Sequence, residues 1–267
     1  MKVRLIFLLV LLVMVSWSNA WGLSLGNNIT IYDNRAGKYN SHGGYHTADW
    51  WTNTGEDQEV EPGMIDAQVW DLEGFFLNGS ILSMVGGFDF AGGVYNRGHT
   101  YTSGDIFLDV DGDAHYGVNG SSVRNGYDYV IDLDFESSTY NVYEITDSTE
   151  LDDVYSYNSH QSSPWQYDHT KNPDDQAVAS GNFDFLQGLS DSETGFQGGD
   201  HYAVTGIDLS FLPAGTQFIS HFTIECGNDN LMGQGLTPVP EPATMFLFGM
   251  GLVGLAGLAG KRLKEPV

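Results

Sequence analysis

Apolar residues fall along this chain in three rhythms. Residues 5–15 form an unbroken apolar run behind Lys2 and Arg4, and residues 243–260 form a longer uncharged run followed by Lys261, Arg262 and Lys264. Between the two, apolar and polar positions alternate in short blocks, the period-two signature of half-buried strands. Residues 67–77 and 80–90 are two such blocks separated by Asn78-Gly79. That pair supplies positive φ at both central positions of a type I′ turn, so the blocks predict a β-hairpin. Gly74 and Gly86-Gly87 predict bulges or bends within it. Residues 127–135 and 140–145 predict a second hairpin, in which Tyr127, Tyr129, Ile131, Leu133 and Phe135 share one face and Asp128, Asp132 and Asp134 the other. Residues 201–209 and 218–226 predict two further strands, joined through Leu212-Pro213-Ala214-Gly215.

Seven or more short strands without a βαβ rhythm predict a mainly β protein, a single antiparallel β-sandwich of jelly-roll type. The two apolar runs flank it. The first has the length and basic start of a secretory signal peptide, and Ser18-Asn19-Ala20 places signal peptidase cleavage after Ala20. The second, 18 residues, makes a helix of about 27 Å, enough to cross a hydrocarbon core. The basic cluster around Lys261 and Arg262 would stay cytoplasmic and leave everything before it outside. The expected organisation is therefore a signal peptide at 1–20, a passenger domain at 21–232, a Gly/Pro-rich linker at 233–239, and a terminal segment at 240–267 with a transmembrane helix at 243–260. Pro240-Glu241-Pro242, a spanning helix and a short basic end together resemble the PEP-CTERM sorting signal. The resemblance implies that an exosortase cuts near Pro240-Glu241-Pro242 and releases the passenger from a transient inner-membrane intermediate to the cell surface or the extracellular exopolysaccharide matrix.

Charge narrows the partners. Five of the ten basic residues (Lys2, Arg4, Lys261, Arg262, Lys264) and two of the 35 acidic ones (Glu241, Glu265) lie in the end segments. The passenger keeps 5 basic and 33 acidic residues, a formal charge of −28. Such a field repels nucleic acid and attracts cations. The acids are densest at Gly104-Asp105-Ile106-Phe107-Leu108-Asp109-Val110-Asp111-Gly112-Asp113, where an extended strand points Asp105, Asp109 and Asp111 to one face and Ile106, Leu108 and Val110 to the other. Same-face neighbours lie about 6.5–7 Å apart, and at an effective dielectric of about 20 two such charges repel by about 2.5 kcal/mol. Asp-x-Asp-Gly-Asp curling after a strand brings oxygens together in the way Ca²⁺ requires, so Asp105, Asp109, Asp111 and Asp113 are the expected metal ligands. Three positions match an EF-hand loop, but Ala114 and Gly120 stand where that loop needs Gly and Glu. The alternative is an acidic solvated turn.

Other candidates carry less. Cys226, the single cysteine, shares strand parity with Phe222 and Ile224 and reads as a buried apolar residue rather than a nucleophile. Asn228-Asp229-Asn230 fits a turn cap or an oxygen donor set. His42 and His46 have helical zinc spacing interrupted by Gly43-Gly44. Trp50, Trp51, Trp70 and Trp165 suit either the core or a sugar-stacking surface. No nucleophile elbow, phosphate loop or dinucleotide fingerprint occurs. The order of Asp71-Leu72-Glu73-Gly74-Phe75-Phe76, Asn78-Gly79, the aspartate strand, Tyr127-Asp128-Tyr129 and His221-Phe222-Thr223-Ile224-Glu225-Cys226 resembles a recurrent passenger of PEP-CTERM proteins, itself similar to DOMON-like and family 9 carbohydrate-binding sandwiches. The expectation is an exported, non-enzymatic, calcium-stabilised structural or adhesive protein of the biofilm matrix. The alternatives are an exopolysaccharide-binding module and, behind it, a secreted hydrolase.

Overall fold

The structure, a computed structural model, describes residues 23–31, 67–114, 126–155, 162–227 and 229–239. Ala20, Pro240, Glu241, Pro242, Lys261, Arg262 and the predicted helix 243–260 lie outside the described residues, as do His42, His46, Trp50, Trp51 and Asn228. Among the described residues no helix is long and apolar enough to cross a membrane.

The chain is mainly β. Among the described residues its elements, in order, are β1 (Asn27–Asn28), a 3-10 turn (Gln68–Trp70), β2 (Leu72–Asn78), β3 (Ile81–Gly86), β4 (Val94–Asn96), β5 (His99–Tyr101), β6 (Ile106–Asp109), β7 (Tyr129–Asp134), β8 (Thr139–Glu144), β9 (Leu151–Asp152), β10 (Gln166–Tyr167), β11 (Ala179–Asn182), β12 (Asp184–Leu189), a short helix α1 (Asp191–Thr194), β13 (His201–Asp208), β14 (Gln217–Thr223) and β15 (Asn230–Leu236). They pair antiparallel into a five-stranded sheet, β1-β2-β3-β13-β12, and a six-stranded sheet, β11-β8-β7-β6-β14-β15, with two small ribbons, β4-β5 and β9-β10.

Strand parity explains the packing. Leu72, Leu82, Met84, Val204 and Ile207 from the first sheet and Ile106, Leu108, Ile131, Leu133, Phe222 and Leu231 from the second belong to one buried cluster, because alternate side chains of each strand face the other sheet. The chain closes this core at both edges. Residues 27–28 pair with β2, and three residues later the Ile31 N–H donates to the Met232 carbonyl at 2.8 Å, on β15. On the opposite edge Phe183 alone separates β11 in one sheet from β12 in the other.

Three local expectations are corrected. In the first hairpin Asn78 pairs with Ile81, so the loop residues are Gly79 and Ser80. Only Gly79 has positive φ (62°), and glycine first of two loop residues is the type II′ requirement rather than type I′. Tyr127 precedes β7, follows Gly126, and packs on the outer side of the six-stranded sheet with Phe107 and Val130 instead of sharing a face with Ile131. The predicted strands 201–209 and 218–226 appear as β13 and β14, which lie in different sheets. Finally, residues 233–236 are not linker but the second half of β15. A Cβ on Gly233 would stand 3.0 Å from the Phe75 Cβ, and one on Gly235 only 2.3 Å from the Phe218 ring. The glycines are there so that two core rings can lie against the strand.

The outer face of the six-stranded sheet is itself covered. Registers align Tyr143, Val130, Phe107, His221 and Met232 in one row across it, all buried. Tyr167 stacks on Tyr143 at 4.6 Å, and Tyr127 on His221 at 5.6 Å. Polar side chains on the strands flank this row, and they frame the candidate site.

Candidate functional site

The acidic cluster forms where β6 ends. Phe107 pairs with Val130 and Leu108 with Tyr129, so Asp109 falls beside Asp128, at the entry to β7. Carboxylate oxygens of Asp109, Asp111 and Asp128 all lie within 4.8 Å of one another. Asp109 is buried and organises the turn. One of its oxygens accepts the N–H groups of Asp111 and Gly112, at 3.1 and 2.6 Å, and the other accepts that of Ala114 at 3.3 Å. Asp128 accepts the Val110 N–H at 2.7 Å, and Asp111 that of Asp113 at 3.2 Å. Burial first, and then the neighbouring charges of Asp111 and Asp109, push the Asp128 pKa above its ordinary value. Two unit charges 4.8 Å apart repel by about 3.5 kcal/mol at an effective dielectric of about 20, before solvent screening of the exposed Asp111. Beside the cluster opens a cleft of about 150 Å³, lined by Asp109, Asp111, Gln217, Ile219 and Gln234 among others.

Of the four predicted ligands, the structure brings Asp109 and Asp111 together and adds Asp128. Asp105 shares their strand face but lies four residues away beneath the 165–167 segment. It is 1% exposed and accepts the Leu133 N–H at 3.0 Å and the Tyr167 N–H at 2.8 Å. Burial, then the charge of Asp132, raise its pKa well above the carboxylate range. Asp105 ties β10 to the sheet and faces no opening. Asp113 is exposed, and its N–H donor role to Asp111 is what links it to the cluster. Asp128 escaped the sequence reading because its alignment with Asp109 depends on the β6/β7 register. The residue alternation of 127–135 had placed it among the polar positions, which was the one available signal.

Three carboxylates converging on one point suit a hard cation with oxygen ligands, and Ca²⁺ tolerates such partial, irregular shells better than Mg²⁺. Asp109 spends part of its acceptor capacity on the turn, yet an ionised carboxylate offers about four lone-pair directions.

A second polar group was not anticipated. His201, on β13 and fully buried, lies between Glu73 (Nδ1 to Oε2, 2.7 Å) and Asp191 (Nε2 to Oδ1, 3.0 Å). The Gln68 amide donates to the other Glu73 oxygen at 2.9 Å. Burial alone would lower the His201 pKa, but the Asp191 hydrogen bond and the Glu73 charge leave it raised. Nothing local in the sequence couples positions 73, 191 and 201; the β2-β3-β13 order does.

Cys226 and Trp70 are buried in the main core. The Asp229 carboxylate accepts the Leu72 N–H at 2.8 Å, joining the start of β15 to β2, and Asn230 is the first residue of β15. The backbone just after β15 is tied down. Thr237 is 2% exposed; its N–H donates to Thr216 O at 2.9 Å, its hydroxyl donates to Pro213 O at 2.7 Å, and it accepts the Thr216 N–H at 2.9 Å.

No curated protein and no solved structure matches the chain. The next residue after Thr237 begins the one recognised family segment: residues 238–262 match the PEP-CTERM protein-sorting motif. That motif implies an exosortase substrate, held first at a membrane and then exported to the cell surface.

Proposed function

We propose that the protein is a structural or adhesive constituent of the cell surface or exopolysaccharide matrix, a β-sandwich stiffened by Ca²⁺ and without catalytic activity. The observation that carries the reading is the abutment of a closed β domain, anchored to Thr237, on a sorting motif that starts at residue 238. What the exosortase pathway delivers is then the folded domain itself. The acidic cluster supports the calcium part: three carboxylates within 4.8 Å are relieved most simply by a divalent cation. A non-catalytic role is supported by where four of the perturbed groups sit, while a fifth, Asp128, belongs to the acidic cluster proposed to hold the cation. Asp105, Glu73 and His201 are each no more than 1% exposed, and His221, whose pKa burial depresses to about 4, is enclosed as well. None of them meets a substrate-accessible surface.

Two measurements test this. Thermal melts of the folded protein in EDTA and in millimolar Ca²⁺ should differ by about 5–11 °C if the cation is present at a hundred times its Kd, since that occupancy adds about 2.7 kcal/mol. Superimposable curves remove calcium from the reading. Mass spectrometry of protein stripped from the cell surface should find a C-terminus before residue 243; an intact tail there indicates a permanent anchor instead. A second reading, a module that binds matrix polysaccharide, is favoured by one specific observation, the exposed aromatic ring of Tyr155.

A further inference from the structure

Four rings run outward from the core at the end of the β4-β5 ribbon. Trp70, buried, meets Tyr101 edge-on at 5.7 Å. Tyr101 meets His99 edge-on at 4.7 Å. His99 stacks on Tyr155 with centroids 5.3 Å apart and planes within 14°. Tyr155 ends the series 68% exposed. One of its faces is taken by His99, so the exposure belongs largely to the other face.

The stack is braced. The Tyr155 N–H donates to the Glu225 carbonyl at 2.6 Å. The Glu225 carboxylate holds His99 Nε2 at 2.9 Å and accepts the Thr102 N–H at 3.1 Å. The imidazole cannot swing away without breaking a charge-assisted contact, and the phenol ring above it is thereby fixed in plane. Fixing a ring before binding removes most of the ordering cost that a free aromatic side chain would incur on contact. Tyr95, also exposed (73%), does not belong to this surface: it pairs with Thr100, whereas His99 and Tyr101 pair with Asn96 and Val94, and alternation sends it to the other side of the ribbon.

An open, rigid π face presented outside the cell selects its ligand by shape and charge. The negative face of an aromatic ring attracts the positively polarised C–H groups of a flat partner, and a pyranose carries such C–H groups on one face with hydroxyls around its rim. The protein's net charge of −25 and the Glu225 carboxylate below the stack oppose a uronate or sulfated sugar. We propose that the outward face of Tyr155, stacked on His99, is a docking platform for a neutral pyranose of an extracellular polysaccharide. The proposal rests on the polysaccharide reading of the protein and assigns it a site and a ligand class.

The test is affinity electrophoresis of the full chain through gels containing a neutral β-glucan, a neutral galactomannan, or anionic alginate, with melting curves run on every variant. At least one neutral polymer should retard the protein and alginate should not. Tyr155→Ala should weaken that retardation by about two- to twelvefold, Tyr155→Phe should preserve it, and Tyr95→Ala should leave it unchanged. Retardation equal in wild type and in a folded Tyr155→Ala variant overturns this site while leaving polysaccharide binding standing. Absence of retardation in every neutral polymer overturns both. Self-association that Tyr155→Ala abolishes, without retardation, would give the platform to a second copy of the chain and also overturn the proposal.

Discussion

Replacing His201 by alanine is the sharpest test of how the five-stranded sheet is held. The imidazole is fully buried, with Glu73 at 2.7 Å and Asp191 at 3.0 Å. Glu73 is itself 1% exposed. Removing the imidazole leaves a buried carboxylate without its cation, a loss of about 3–5 kcal/mol. For a domain of this size that corresponds to a Tm about 6–20 °C lower. The double variant Glu73→Leu, His201→Leu removes the buried ion pair at once, and should recover most of the loss because the charge left behind, Asp191, is open to solvent. The pH dependence carries a sign. His201 has its pKa raised above 6.5 in the fold, so its contribution is complete below about 6.5, the unfolded value, and is lost as pH rises through the folded value. Glu73 is raised above 4.5 by burial, so folding favours its neutral form, and its contribution likewise falls with rising pH, over a more acidic window. Differential scanning calorimetry between pH 6 and 9 should show the wild-type Tm declining more steeply than that of His201→Ala. A single-mutant loss under about 2 °C, a double mutant no better than the sum of its parts, or identical pH slopes would refute the account.

Asp128→Asn should raise stability in EDTA, by relieving repulsion from Asp109 and Asp111, and should abolish the calcium-induced rise in Tm; the same pair of melts reads both. Because the Asp128 pKa is raised above 3.8, the cation-free protein should lose part of this site's stability as pH climbs past that value, and saturating Ca²⁺ should flatten the dependence. Asp105→Asn should cost about 1–3 kcal/mol in urea unfolding, since the amide keeps one acceptor oxygen for two N–H donors, Leu133 and Tyr167. Thr237→Val, which deletes two hydroxyl bonds at the end of the fold, should cost about 1–3 kcal/mol and raise proteolytic cleavage near residue 237. An unchanged cleavage pattern would mean that the domain closes before Thr237.

Much of the strand content could be read directly. The alternation at Ile106 and Leu108, and at Ile131 and Leu133, identified core faces correctly, because burial of one face of a sheet imposes period two whatever the partner strand is. The two hairpins β2-β3 and β7-β8 were legible for the same reason, with local turn chemistry to join them, although Gly79 and Ser80 rather than Asn78 and Gly79 form the first loop. Gly233 and Gly235 misled. Glycine is common both in linkers and where rings press against a strand, and only Phe75 and Phe218 standing over them separate the cases. The acidic cluster was half legible: Asp109 and Asp111 are neighbours in the chain, while Asp128 reaches them through strand register.

The sequence by itself determined the chemistry at short range: strands from alternation, turns from glycine, surplus acid from composition, and an export address from a contiguous motif. The tertiary structure alone decided which of those acids meet. Asp105 is sealed beneath Tyr167, Asp109 is turned toward Asp128, and Glu73 is joined to His201 and Asp191. Sheet order and register bring together residues more than a hundred positions apart, and no local pattern encodes which strand will lie beside which.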